Sequence, residues 1–173
     1  MSVTLDSRGT RFFFLVWLLT LLTPAALPLP LRAETIQLGD SHLWSKRFGS
    51  TSFDQGYGVA VDDSGNVVVT GSFNGTVNFG GGGLNSAGSF DIFVAKFSGA
   101  DGSHLWSKRF GSTYEDEGLG VAVDGSGNVV VTGYFWGTVD FGGGELTSAG
   151  SSDDIFVVKL GAFARRRGQL ISD

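Results

Sequence analysis

The chain predicts an all-β fold of two tandem units, each made of four short antiparallel strands, and three observations predict it. The eleven residues from Ser41 to Thr51 return unchanged from Ser103 to Thr113, 62 positions later. Aligning 41–89 with 103–151 at that offset keeps 39 of 49 residues. No segment after residue 33 carries apolar residues at helical spacing; short runs rich in valine and phenylalanine alternate instead with Gly, Asp, Ser and Asn, the pattern of strands punctuated by turns. A fixed period is the first thing a fold must accommodate. Identity this high marks a recent duplication, so both copies take the same shape.

Residues 1–33 stand apart from this pattern. Arg8 and Arg11 precede the apolar run from Phe12 to Leu22, Pro24, Pro28 and Pro30 then break it, and Ala33 precedes Glu34. A basic start, a short apolar stretch and a small residue at the cut describe a secretory signal peptide. The run is about half of the roughly 20 apolar residues a spanning helix needs. Cleavage is expected after Ala33, with Ala26 as the second choice, which gives a secreted or cell-surface product with no membrane segment. Removal of this segment takes away Arg8, Arg11, Arg32 and Asp6 and leaves nine basic against 16 acidic residues, a balance near −7. That charge argues against nucleic acid and anionic lipid surfaces as partners. The chain has no cysteine, so no disulfide framework supports the exported fold.

The remaining elements follow in order. Residues 34–48 read as a leading outer strand, 49–110 as the first repeat, 111–160 as a second repeat lacking its last strand, and 161–173 as an irregular basic tail. Within the first repeat, Gly56 to Asp62 and Asn66 to Phe73 flank Asp63-Ser64-Gly65, the signature of a hairpin with glycine in the left-handed position. Gly75 to Gly80 reads as a short strand or strand extension before a glycine-rich excursion. Asp91 to Ser98 is the next strand, and Ala100-Asp101-Gly102 turns the chain into Ser103 to Phe110, the fourth.

Four short strands per period of 62 residues fit the blade of a β-propeller. A β-sandwich, the alternative, would need about seven dissimilar strands. Runs such as Val67-Val68-Val69 suit a blade covered on both faces by its neighbours. The segments GVAVDDSGNVVVTGSF, GTVNFGGG and DIFVAKF resemble the SBBP repeats, a bacterial β-propeller repeat family of exported and cell-surface proteins. The resemblance covers Ser41 to Leu160. It implies a propeller and an exterior location, and it brings no catalytic residues.

The strand count gives an incomplete, open β-propeller of two blades, whereas a ring takes typically four to eight. Three arrangements meet that count: copies joined head to tail into a homo-oligomer, with Ser41 to Phe48 completing the second blade of the next copy; a truncated piece of a longer array; or an open two-blade unit. Arg165-Arg166-Arg167, standing where another strand is due, favours truncation or a gene remnant. Three joined chains would give six blades.

Candidate chemistry is sparse. His42 and His104 occupy one repeat position, and a single histidine per copy without cysteine does not assemble a metal centre. Asp54, Asp62-Asp63, Glu115-Asp116-Glu117 and Asp124 lack the ligand spacing of a calcium loop, and turn chemistry accounts for DDSGN. The glycine run 80–83 has no following helix to make a phosphate cradle. Lys46-Arg47 and Lys108-Arg109 point to opposite strand faces and read as charges that discourage edge pairing. No nucleophile elbow or distinct carboxylate pair stands out, so no catalytic residue, metal or cofactor is expected. The aromatics that differ between copies, Phe53, Tyr57, Tyr114, Tyr134 and Trp136, are the candidate surface for a protein or carbohydrate ligand; packing between blades is the alternative role. The sequence therefore points to an exported, non-enzymatic interaction scaffold. The competing classes are a fragment of an exported propeller hydrolase or lyase, and a non-functional gene remnant.

Overall fold

Strands form where β-branched residues crowd, and glycines with polar residues end them. A computed structural model of the chain describes residues 41–162, and every regular element among them is a β-strand. The signal peptide, residues 34–40 of the leading segment and most of the basic tail lie outside the described residues.

The first copy makes one four-stranded antiparallel sheet, in the order β1 (Asp54–Val61), β2 (Val67–Phe73), β5 (Asp91–Phe97), β6 (His104–Phe110). The second copy repeats it with three strands, β7 (Glu117–Val123), β8 (Val129–Phe135) and β11 (Asp154–Leu160). Bulges fall at the same place in both, at Tyr57 between Gly56 and Gly58 and at Leu119 between Gly118 and Gly120. The expected strand extension takes a different course. Thr76–Asn78 (β3) folds back on Gly83–Asn85 (β4), and Thr138–Asp140 (β9) on Glu145–Thr147 (β10), as separate two-stranded hairpins. In the first of these, Asn78 Oδ1 accepts the Gly80 and Gly82 amides at 2.7 and 3.2 Å and closes the turn.

The hairpin turns carry their own supports. Asp62 accepts the Ser64 and Asn66 amides at 2.9 and 2.8 Å while Gly65 takes φ +79°, and Asp124, Ser126, Asn128 and Gly127 repeat the arrangement. Lys96 reaches Asp62 at 2.7 Å and Lys159 reaches Asp124 at 2.6 Å. These carboxylates serve turn chemistry.

The two sheets stack through a shared core. Val68, Ile92, Val94 and Phe110 of the first sheet meet Val129, Val131, Phe135, Phe156 and Leu160 of the second, with Val139 and Phe141 of its hairpin. Close approach is essential here. A Cβ on Gly118 would stand 2.4 Å from Thr70 Oγ1 and 2.9 Å from Ile92 Cγ2, so only glycine lets the second sheet settle on the first. The opposite face of the first sheet carries Phe73, Val77, Phe79, Phe93, Ala95 and Phe97.

The leading residues 41–48 form no strand, although their twin does. A strand is a property of two segments, and no described strand lies beside this one. The segment is nevertheless placed. Phe48 stacks on Phe97 at 4.9 Å and meets Phe79 at 5.2 Å, and Trp44 Nε1 donates to the Gly99 carbonyl at 2.9 Å. Phe110 meets Phe141 at the same 5.2 Å. Phe48 thus meets the first copy's Phe79 as Phe110 meets the second copy's Phe141.

Two predictions follow from this packing and these turns. Truncating Ile92 to alanine in the shared core is expected to lower stability by about 3 kcal/mol, and Leu146→Ala on the exposed hairpin by less than about 0.5 kcal/mol, both read from urea unfolding. For the turns, burial works against the Asp62 charge, but bonds from Lys96 and Asn66 outweigh it and hold the carboxyl well below the ordinary range. Lys159 and then Asn128 lower Asp124 in the same direction. A depressed carboxyl contributes its full stability above the unfolded value of about 3.9 and loses it as pH falls towards the folded value. Stability is expected to decline below about pH 4, and less steeply in the Asp62→Asn, Asp124→Asn double variant; equal slopes in the two proteins would contradict this.

Candidate functional site

The two copies differ at ten of their 49 aligned positions, and six of the differences gather at one end of the sheets. They are Ser52/Tyr114, Phe53/Glu115, Gln55/Glu117, Tyr57/Leu119, Ser72/Tyr134 and Asn74/Trp136. Strand register explains the gathering: Gln55 pairs with Ser72 and Glu117 with Tyr134, so the start of the first strand and the end of the second lie side by side.

A carboxylate pins the backbone beneath these residues in each copy. Asp116 is fully buried, accepts the Ser112 amide at 2.6 Å and the Trp136 amide at 3.0 Å, and Ser112 Oγ donates to the Trp136 carbonyl at 2.6 Å. Asp54 accepts Ser50 N at 2.6 Å, and Ser50 Oγ donates to the Asn74 carbonyl at 2.9 Å. Burial pushes the Asp116 carboxyl above the ordinary range, against the Ser112 and Trp136 amides that favour its charge. Asp91, also fully buried, accepts the Ala87 amide at 2.9 Å and pairs with Arg109. Arg109 is thus a clamp for the loop after the hairpin as well as an edge charge. This clamping was not read from the sequence. Its trace is that GSTSFDQG and GSTYEDEG keep the aspartate while the residues on both sides of it change.

The structure sorts the five candidate aromatics into three groups. Tyr57 and Tyr134 share a carboxylate. The Tyr57 hydroxyl bonds to Gln55 Oε1 and lies 3.4 Å from Glu117 Oε1, which Ser72 Oγ also approaches at 3.4 Å. Burial first, and then the charges of Glu117, Glu115 and Asp153, drive the Tyr134 hydroxyl far above its usual range. Burial also leads the rise at Tyr57, with Ser72 opposing and Glu117 reinforcing it. The Tyr57 hydroxyl is the donor in its contacts with Gln55 and Glu117. Tyr114 and Trp136 form the second group, stacked at 4.2 Å with their planes 23° apart. Phe53 is 73% exposed.

The remaining candidates take structural places. His104 Nε2 lies 3.0 Å from Ser107 Oγ, and its ring covers Gly80 and Gly81, where a Cβ on Gly81 would fall 2.2 Å from Cε1. His42 is exposed. Among the described residues no three His, Asp or Glu side chains converge as a metal group. This end of the molecule offers an acidic patch, protonated phenols and a stacked aromatic pair on a pinned backbone, an arrangement suited to binding.

Comparison with known proteins agrees with the fold. The chain is 28% identical over 111 residues to an uncharacterized WD repeat-containing protein of Acanthamoeba polyphaga mimivirus, a match covering 54% of this chain and 8% of that relative. The chain thus spans a small fraction of the relative's length. Residues 43–77, from the leading segment through the first hairpin strand, match the family model of the SBBP beta-propeller repeat. Residues 43–77 thus carry an SBBP beta-propeller repeat, and the two copies of one antiparallel unit stacked face to face are consistent with it.

Proposed function

We propose that the chain is an exported, non-enzymatic propeller-repeat scaffold, working outside the cell or at its surface, whose diverged end binds a protein or carbohydrate ligand. The observation that carries the reading is where the copies differ. Packing residues are kept after duplication, and most change has gone to side chains above the Asp54 and Asp116 clamps. Variation on a fixed backbone is how a scaffold acquires recognition without losing its fold. Tyr114 and Trp136 supply a flat stacking surface, while Glu117 with Tyr57 and Tyr134 supplies acceptors and donors beside it. Aromatic anchors of this kind dominate binding energy. A further copy of the chain is a second partner, and it engages a different surface.

Two experiments test the reading. Glycan arrays and affinity capture from the native extracellular fraction are expected to return a ligand whose affinity falls roughly 30-fold in the Tyr114→Ala, Trp136→Ala variant. A variant that binds as tightly as the parent, or no ligand of either class, overturns it. For export, N-terminal sequencing of the protein from its own cells is expected to begin at Glu34 in the extracellular or surface fraction. Intact Met1 in the soluble cytoplasmic fraction would overturn that part.

A further inference from the structure

Two surfaces of the described chain are the two halves of the interface that already joins its sheets. Inside the chain, Val68, Ile92, Val94 and Phe110 of the first sheet cover one face of the second. The second sheet presents the corresponding outward residues Val130, Ile155 and Val157 on its far side. Their fates diverge: Ile92 and Val94 are 0% exposed, whereas Ile155 is 86% and Val157 71% exposed.

At the other end, the near face of the first sheet is the counterpart of the covered face of the second. Val69, Phe73, Phe79, Phe93 and Phe97 correspond to Val131, Phe135, Phe141, Phe156 and Leu160. One of the four covering side chains is already there, because Phe48 takes the place of Phe110. The other three have no counterpart among the described residues, and an apolar cleft lies between Phe48 and the sheet. The cleft lacks the side chains that the far sheet leaves in the open.

Gly56, on the cleft wall, sharpens the match. Its twin Gly118 must be glycine because a Cβ would strike Thr70 and Ile92 of the adjoining sheet, yet a Cβ on Gly56 would meet only Val69 of its own sheet, at 3.8 Å. Space kept clear at Gly118 for a neighbour is equally clear at Gly56. The strand edges agree as well. β6 pairs with β5 so that Phe110 faces Ile92, and Arg109 holds Asp91. Ser41 to Phe48 has the same sequence as the corresponding residues of β6, and Arg47 is exposed. β11 is an edge strand among the described residues, and its Asp154 corresponds to Asp91.

We infer that the cleft of one chain receives Ile155 and Val157 of a second copy, that Ser41 to Phe48 becomes the fourth strand beside the second copy's β11, and that Arg47 pairs with its Asp154. The contact is head-to-tail, with different surfaces on the two partners, so it extends until a ring closes. It rests on the scaffold reading only in naming one of its partners, and of the diverged residues Gln55 alone lines the cleft.

Heterologous contacts allow a complementation test. The 173-residue chain with its leader removed is studied by sedimentation and light scattering, with circular dichroism as the check on fold. The parent is expected to form discrete oligomers. Ile155→Asp with Val157→Asp alters exposed positions and spoils only the inserting face; Gly56→Gln fills only the cleft. Each variant alone is expected to be a folded monomer, and an equimolar mixture to give a one-to-one heterodimer, since each retains the half the other has lost. A folded monomeric parent overturns the inference, as do variants that still associate or a mixture that stays monomeric. Intact assembly with no ligand at the diverged end removes the recognition reading and leaves this one standing.

Discussion

The structure depends on the stacking of one sheet on the next at a distance that only glycine at position 118 permits. Each sheet is apolar on both faces, so neither face can be left to water without cost. Burial of an aliphatic side chain contributes about 1.5–3 kcal/mol relative to exposure, and the shared core contains eleven buried apolar residues drawn from both copies. The first repeat's own cluster holds six. Stability in such chains resides in the contacts between neighbouring units as much as within them, which explains the kept valines and phenylalanines in strands whose loops have drifted.

That constraint also locates the candidate site. The loops above the strands contribute little to the stack, so their side chains are free to change, but their backbones are not free to wander. Asp54 and Asp116 each accept the amide four residues upstream, and in the second copy Asp116 also accepts the Trp136 amide and so ties two loops into one rim. A buried carboxylate with several N–H partners is a stiff joint, because losing one partner leaves a desolvated oxygen. The diverged side chains are thereby held without being part of the core.

Much of this was legible in the sequence. The turns at Asp62 and Asp124 were, since Asp, Ser, Gly and Asn in that order meet the demands of one turn. So were the long strands, whose valine runs allow no helical face. The β4 and β10 strands were hidden because three residues beginning with Gly83 or Glu145 carry no alternation. The clamps were hidden for a different reason: an aspartate in a loop looks the same whether it serves its own turn or a distant one. Residues 41–48 show the limit most clearly, because the same letters form a strand at His104–Phe110, where β5 lies alongside, and none where no described strand does. The grouping of Tyr57 with Tyr134 around Glu117 likewise came from strand register across two sheets, which composition does not encode.

The bulge, the glycine and the valine run recur at one spacing, and this bears on how such a chain can change length over generations. Unequal exchange between the duplicated stretches would insert or remove one whole period in frame. Each new junction would then be a copy of an old one, with the same glycine meeting the same threonine. A one-residue change within a strand would turn its faces over, whereas the extra residue before Asp154 falls in a loop and leaves the register intact. Copy number is therefore a dimension in which this architecture can be altered in a single step without redesigning a contact between sheets.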